Sequence, residues 1–329
     1  MKYRLFKASL WLMMLCGSVS AIADSDPPVN IVFHGTPHDA LFDIEFQGET
    51  GLAVGSYGLI LTSSDGGLTW MVGKPLGDAT LTSVAMSSER AIAVGQSGII
   101  FVSDDSGKSW QKTESGVEDR FMSVALAPSG ESVAVGGFGL ILKSLDWGHT
   151  WNRIQLDWET ITADGYEPHL YDIEMISPTR FLISGEFGLV LSSDNAGGSW
   201  EVRHRGDASL FSMSFPTPDL GFAVGQDGTI LKTNDQGNSW QSVEIDGNAN
   251  LLGVWASKHG EIVVTGVRSF LRSSDGGDTW EDNQHPSISR TWFQDLAAVE
   301  VEHKSEGNKI IEQKIYTAGY GGSIALVLR

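Results

Sequence analysis

Ser63-Ser64-Asp65-Gly66-Gly67-Leu68-Thr69-Trp70 is the stretch on which the fold turns. An aspartate in a tight turn accepts N–H bonds from its own loop, glycine tolerates positive φ, and Ser and Thr hydroxyls add local hydrogen bonds. The closing tryptophan is then free to pack on a neighbouring unit. The same octapeptide pattern returns from Ser273 through Asp275 to Trp280, and variants end at Trp110, Trp151, Trp200 and Trp240 with Asp105, Asp146, Asn195 and Asp235 at the carboxylate position. Asn195 and Thr233, standing where Asp and Ser stand elsewhere, keep hydrogen-bonding capacity without a fixed charge. Successive tryptophans lie 40, 41, 49, 40 and 40 residues apart, the period of one four-stranded propeller blade.

Upstream of each box lies a second signature, Ala53-Val54-Gly55-Ser56-Tyr57-Gly58, repeated at Ala93, Ala134 and Ala223 and more loosely at Ile183, Val264 and Thr317. Short β-rich runs divided by Gly and Asp, with no sustained helical period, give strands A to D in each unit. In the first unit A covers residues 41–46, B 51–54 and C 59–63, and D begins near Trp70. The seventh unit supplies A near 296–301, B near 314–318 and C near 323–328, and then the chain stops. Residues 29–34 precede the first A strand and have no other partner, so they are expected to complete the last blade. The expected fold is therefore all-β: a single seven-bladed propeller over residues 24–329. Its blades fall near 36–75, 76–115, 116–156, 157–205, 206–245, 246–285 and 286–329, the last closed by an N-terminal strand. Closure is required because an open array would leave strand edges and an apolar blade face unpaired.

Residues 1–23 carry Lys2, Arg4 and Lys7, then an apolar run, then Ala21-Ile22-Ala23, which reads as a cleaved signal peptide ahead of Asp24. The bulky Leu15 before Cys16 argues against lipid attachment there. Removing this leader takes away the single cysteine of the 329 residues and with it disulfides, Cys-ligated zinc and thiol catalysis. It also removes three basic residues and no acidic one, making a chain of net charge −19 more acidic still. Such a charge repels phosphate backbones and anionic lipid heads, so neither nucleic acid nor membrane insertion is expected. The Asp boxes are read as structural, because turns spread around a ring cannot share an ion. No metal and no cofactor is expected.

Propeller ligands meet the end formed by B–C and D–A loops, opposite the Asp boxes, and there the units stop repeating. The B–C position offers Tyr57, Ser97, Phe138, Phe187, Asp227, Arg268 and Tyr320, suited to protein or peptide contact or to capping the blades beneath. Two longer D–A loops contribute Trp158, Tyr166 and His169, and Trp292. Arg120, Arg203, Arg205, Arg268 and Arg290 fall in or beside loops of this end, forming an anion-binding patch or pairing with acids such as Glu118, Asp119 and Asp207. Just inside strand A, Asp43, Asp172 and Asp295 alternate with Ser83, Ser123, Ser212 and Gly253 and are expected to line the channel.

The combined unit, Ala-Val-Gly-x-x-Gly-x-Ile followed by Ser-x-Asp-x-Gly-x-Thr-Trp, resembles the photosystem II stability and assembly factor family of plants and cyanobacteria across essentially all of residues 30–329. The resemblance implies a seven-bladed propeller outside an energy-transducing membrane that holds newly made membrane subunits through an arginine-rich patch. The arginines above are the candidates for that patch. Sialidases also carry Asp boxes on propellers, but they resemble one another by an early Arg-Ile-Pro segment, which is absent here. The expectation is a monomeric, non-enzymatic scaffold in the periplasm or secreted, or lumenal in a photosynthetic host. Its partner would be an extramembrane segment of a membrane protein or transporter complex. A sialidase-like glycosidase or a carbohydrate-binding propeller is the alternative.

Overall fold

A computed structural model describes residues 26–305 and 308–328. The leader and Cys16 lie outside the described residues. Seven four-stranded antiparallel sheets form seven blades, each ordered A-B-C-D from the channel outward. In blade 1, A is Leu41–Gln47, B Thr50–Gly55, C Ile60–Ser63 and D Met71–Val72. No helix among the described residues is long and apolar enough to cross a membrane.

Blade 7 takes its A, B and C strands from the C-terminal end of the chain and its outer strand from the N-terminal end. Val29–Phe33 pairs antiparallel with Ile324–Val327 in the register Val29↔Val327, Asn30↔Leu326 and Ile31↔Ala325. The Leu328 amide adds a 2.8 Å bond to the Pro28 carbonyl. The hairpin of this blade is longer than its sequence run suggested: A spans Phe293–Ser305 and B Asn308–Gly319, against five to seven residues in blades 1 and 3. Its extension starts where Val299, Val301 and Tyr316 cover blade 1 in one apolar cluster with Leu41, Ile44 and Trp70.

That cluster shows how blades are joined. Each box tryptophan reaches into the seam with the preceding blade, as Trp70 does against Val299 and Tyr316 of blade 7 and Trp110 against Leu52 and Ile60 of blade 1. A side chain at Gly67 would meet the Tyr316 ring at 2.6 Å, so this box position is glycine both for its φ of 81° and for contact with the preceding blade.

Asp65 performs the turn chemistry read from the sequence. Its Oδ1 accepts the Thr69 amide at 2.9 Å and the Ser63 hydroxyl at 2.9 Å, and its Oδ2 accepts the Thr69 hydroxyl at 2.5 Å. The Trp70 indole donates to the Gly67 carbonyl at 3.1 Å. In the fourth box Asn195 reproduces the amide acceptor at 2.8 Å, and its Nδ2 donates to Ser199, while the buried Trp200 indole nitrogen finds no partner among the described residues. The serine hydroxyls of Ser109 and Ser239 hold the carboxyls of Asp105 and Asp235 below the usual carboxylate range. Stability from such depressed groups is present above about pH 4 and lost as pH falls through their folded values.

Two outcomes follow for the scaffold. Denaturant titration of Asp65→Ala is expected to show a loss of about 1–3 kcal/mol, the cost of leaving turn amides unsatisfied. Deleting residues 1–34 uncovers the 324–327 edge, and size-exclusion chromatography is expected to show self-association beyond that of the full chain.

Candidate functional site

The B–C turns are built alike in blade after blade. In blade 1 the Gly55 amide bonds the Leu59 carbonyl at 2.9 Å and the Leu59 amide returns to Ser56 at 3.0 Å. A Cβ on Gly55 would lie 2.0 Å from the Ala40 carbonyl, so close approach of the A strand explains the first glycine of the repeat. The middle residue is forced into the left-handed region: Tyr57, Ser97, Phe138, Phe187, Asp227 and Arg268 all have φ between 54° and 58°. This conformation lifts the side chains away from the blade. Tyr57 is 66%, Phe138 58%, Phe187 54% and Tyr320 50% exposed, and Arg268 is exposed as well.

The longer D–A loops place more aromatic groups on the same end. The insertion between blades 3 and 4 folds through the helical turn Trp158–Ile161 and brings Tyr166 against Phe187 at 5.6 Å and His169 against Phe138 at 4.9 Å. The Tyr166 hydroxyl and the His169 amide both donate to Glu186, at 2.9 and 2.8 Å. His169 Nδ1 accepts the Phe138 amide at 3.2 Å. Across the ring, Trp292 lies between Phe42 at 6.1 Å and Tyr320 at 6.4 Å.

Two expected rim residues belong elsewhere. Trp158 is only 8% exposed and packs in the core between blades 3 and 4, over Gly139, because the helical turn folds it inward. Arg203 lies on the flank of the Glu201–His204 outer strand, bonded to Glu201 at 2.8 Å and to the Ser192 hydroxyl at 2.7 Å. The other arginines stay at the rim. Arg205 ties down the insertion through the Ile161 carbonyl at 2.6 Å, and Arg120 contacts the Met122 sulfur at 2.9 Å. Among the described residues no carboxylate forms an ion pair with Arg120, Arg205, Arg268 or Arg290.

The sequence reading missed Phe42, Tyr171 and Phe211. Each is the second residue of an A strand, where the pairing skips a residue, as from Leu41↔Gly55 to Asp43↔Val54. This bulge aims the side chain at the channel mouth, where Tyr171 meets Phe211 at 5.0 Å. Their adjacency to the polar position already noted in strand A was the available signal.

Below the mouth a cavity of about 400 Å³ runs between the A strands and is lined by Asp43, Glu45, Asp172, Glu174 and Asp295, with no Lys, Arg or His. Most of these acids clamp one blade to the next. Asp43 accepts the Val84 amide, Glu45 the Met86 amide and Asp172 the Met213 amide, each at 2.8 Å. Burial pushes Asp172 up to about 6, against the lowering pull of the Met213 amide and the Ser123 hydroxyl, and lifts Glu45 and Glu174 well above the usual range. Among the described residues no group of three acidic or histidine side chains is arranged to hold a metal ion.

Seven four-stranded antiparallel blades around a central channel define a seven-bladed β-propeller. The chain belongs to the family described as photosynthesis system II assembly factor YCF48, whose model matches residues 29–116, 155–253 and 205–286, more than half of its length. A curated relative, photosystem II assembly lipoprotein Ycf48 of Synechococcus sp. (strain CC9902), is 24% identical over 133 residues. Those residues span 38% of this chain and 39% of the relative.

Among solved structures, one described as YCF48 bound to D1 peptide superposes with a TM-score of 0.69 at 16% identity, over 93% of this chain and 96% of that one. YCF48 from Cyanidioschyzon merolae gives 0.70 at 18%, over 92% and 98%. The GH74 xyloglucanase from Xanthomonas campestris gives 0.67 at 12%, over 90% of this chain and 53% of that one. At these identities the likeness is one of fold.

Asp172 carries a pH signature. Its folded value lies above the ordinary value of about 3.9, so its contribution to stability is complete below that value and is lost as pH rises through about 6. The melting temperature of the wild type is expected to decline over that range and that of Asp172→Asn to decline less.

Proposed function

We propose that this protein is an exported, non-enzymatic scaffold that assists assembly, stability or operation of a membrane protein complex by holding an extramembrane segment of a subunit against its rim. The observation that carries this reading is the conformation of the B–C turns. A non-glycine residue in the left-handed region costs about 1–2 kcal/mol, and glycine would remove that cost. Yet the chain places Tyr57, Phe138, Phe187 and Arg268 there, all exposed. Side chains kept at strained, solvent-facing positions of a rigid ring serve something outside the ring.

The composition of the rim indicates the kind of partner. Aromatic rings and arginine are the residues that anchor protein interfaces. Arg268 and Arg290, which have no carboxylate partner among the described residues, offer guanidinium groups on a protein of net charge −19, and so select acidic or carboxylate-bearing segments locally. Family membership supports an assembly role, and the similar structure described as YCF48 bound to D1 peptide supports a peptide segment as the ligand. In a photosynthetic host the compartment would be lumenal, and otherwise periplasmic or secreted.

The test combines capture with stability. Wild type is expected to retain a membrane complex from native membrane extract, and Arg268→Glu with Arg290→Glu to lose it while remaining folded. The triple variant Tyr57→Gly, Phe138→Gly, Phe187→Gly is expected to melt at or above the wild-type temperature and to bind about tenfold or more weakly, since buried aromatic anchors contribute about 1.4 kcal/mol or more. If that variant melts lower and binds unchanged, the aromatic groups are blade caps and the reading fails. Binding of glycans or cleavage of sialosides without membrane-protein capture would replace it with the carbohydrate alternative.

A further inference from the structure

The ring is closed without a covalent bond, because the sequence holds a single cysteine. Its first and last blades meet at a seam that, beside the apolar cluster of Val299, Val301 and Tyr316 with Leu41 and Trp70 and the Ala40–Tyr320 backbone bridge, has an outer and an inner polar fastening. The outer one is the pairing of Val29–Phe33 with Ile324–Val327. The inner one lies in the channel wall. Asp295, on strand A of blade 7, accepts the Ile44 amide of blade 1 at 3.2 Å, and Asp43 of blade 1 accepts the Val84 amide of blade 2 at 2.8 Å. Asp295 thus sits on the amide that follows Asp43, and both carboxyl groups line the cavity at this seam. Two adjoining carboxyl groups share a hydrogen bond only when one of them carries a proton. One proton would therefore complete a continuous path of hydrogen bonds from blade 7 through blade 1 to blade 2.

Glu45 and Asp172 fasten blade 1 to blade 2 and blade 4 to blade 5 through backbone amides, and two further junctions use serine. Ser83 accepts the Val124 amide between blades 2 and 3, and Ser214 accepts the Ala256 amide between blades 5 and 6, at 3.2 and 3.1 Å. Serine does not titrate in any accessible range. At Asp172 the facing groups are the Ser123 hydroxyl and the Met213 amide. Carboxyl-to-carboxyl contact among the described residues occurs at the seam, where the chain's two ends come together.

We propose that the Asp43–Asp295 pair is a proton-operated latch across this seam, holding the first and last blades together more firmly as the pH falls. The groups facing it favour the protonated form. Blade 1 contributes Glu45, and blade 4 contributes Asp172, Glu174 and the Tyr171 phenol at the mouth. The lining strands of blades 2, 3, 5 and 6 contribute no ionisable side chain, and no base lines the cavity. Burial lifts both members of the pair above the ordinary carboxyl range, Asp295 the further, with the Asp43 charge adding to the rise at Asp295. The sign is fixed by linkage. A folded value above the unfolded one gives stability that is complete below the unfolded value and lost as pH rises through the folded one. At high pH two neighbouring carboxylates repel across the seam, and the outer strand pairing and the apolar cluster are left to hold the ring.

Hydrogen exchange resolved by residue tests the latch on the full chain. Protection factors, corrected for the pH dependence of intrinsic exchange, are compared from pH 5.5 to 9 for seam strands Val29–Phe33 and Leu41–Gln47 and for blade 3 strand Ser132–Gly136, which reports global opening. The expected result is a loss of protection at the seam about tenfold or more beyond that in blade 3, the factor carried by one pH unit of displacement. Asp295→Asn, whose amide donates to Asp43 at every pH, is expected to remove that excess, and Asp43→Asn serves equally if the first variant does not fold. The latch is refuted if seam and blade 3 change in parallel in the wild type, or if both asparagine variants retain the wild-type excess.

Discussion

Closure of the ring is the constraint on which everything else in this molecule rests. A blade has one apolar face for each neighbour, and six of the seven contacts are made between units adjacent in sequence. The seventh must be made by the ends of the chain. Pairing of Val29–Phe33 with Ile324–Val327 covers the last open edge, and Val299, Val301 and Tyr316 cover the first blade as each later blade is covered by its predecessor. Without that contact a cluster containing Leu41, Ile44 and Trp70 would face water.

Closure also rigidifies the two ends of the ring, and the ends have different chemistry. Asp boxes and their tryptophans satisfy themselves within a few residues, so that end repeats with little variation. At the other end the B–C turn fixes only the backbone. Its geometry requires a left-handed residue but leaves the side chain in solvent, and the chain fills the position with Tyr57, Ser97, Phe138, Phe187, Asp227 and Arg268. Variation concentrated on an otherwise invariant turn is how a symmetric scaffold acquires an asymmetric surface.

Between the ends lies a wall that carries structural and electrostatic demands at once. The innermost strands cannot pair with one another, so their amides need acceptors from side chains, and Asp43, Glu45 and Asp172 supply them. Serving as acceptors brings carboxyl groups into an enclosed space lined by no base, which is why their proton affinities rise. The same residue type, Asp, is held ionised in the exposed boxes and pushed toward protonation in the channel. Environment rather than identity decides its charge.

The sequence by itself determined the repeat, the number of blades, the order of strands and the strand that closes the ring, because these depend on local turn chemistry and on a period that any one unit displays. It also placed the B–C aromatic residues and the channel aspartates at the correct ends of their strands. Tertiary structure alone decided which loop residues face outward. Trp158 and Tyr166 lie in one insertion, yet a single helical turn buries the first and exposes the second. Arg203 and Arg205 are two residues apart, yet the first crosses the flank of its strand and the second caps a loop at the rim. The bulge that turns Phe42, Tyr171 and Phe211 toward the channel mouth, and the meeting of Asp43 with Asp295 across 252 positions of chain, likewise follow from how blades pack. Burial and long-range proximity are properties of the closed ring, and no segment carries them before the ring has formed.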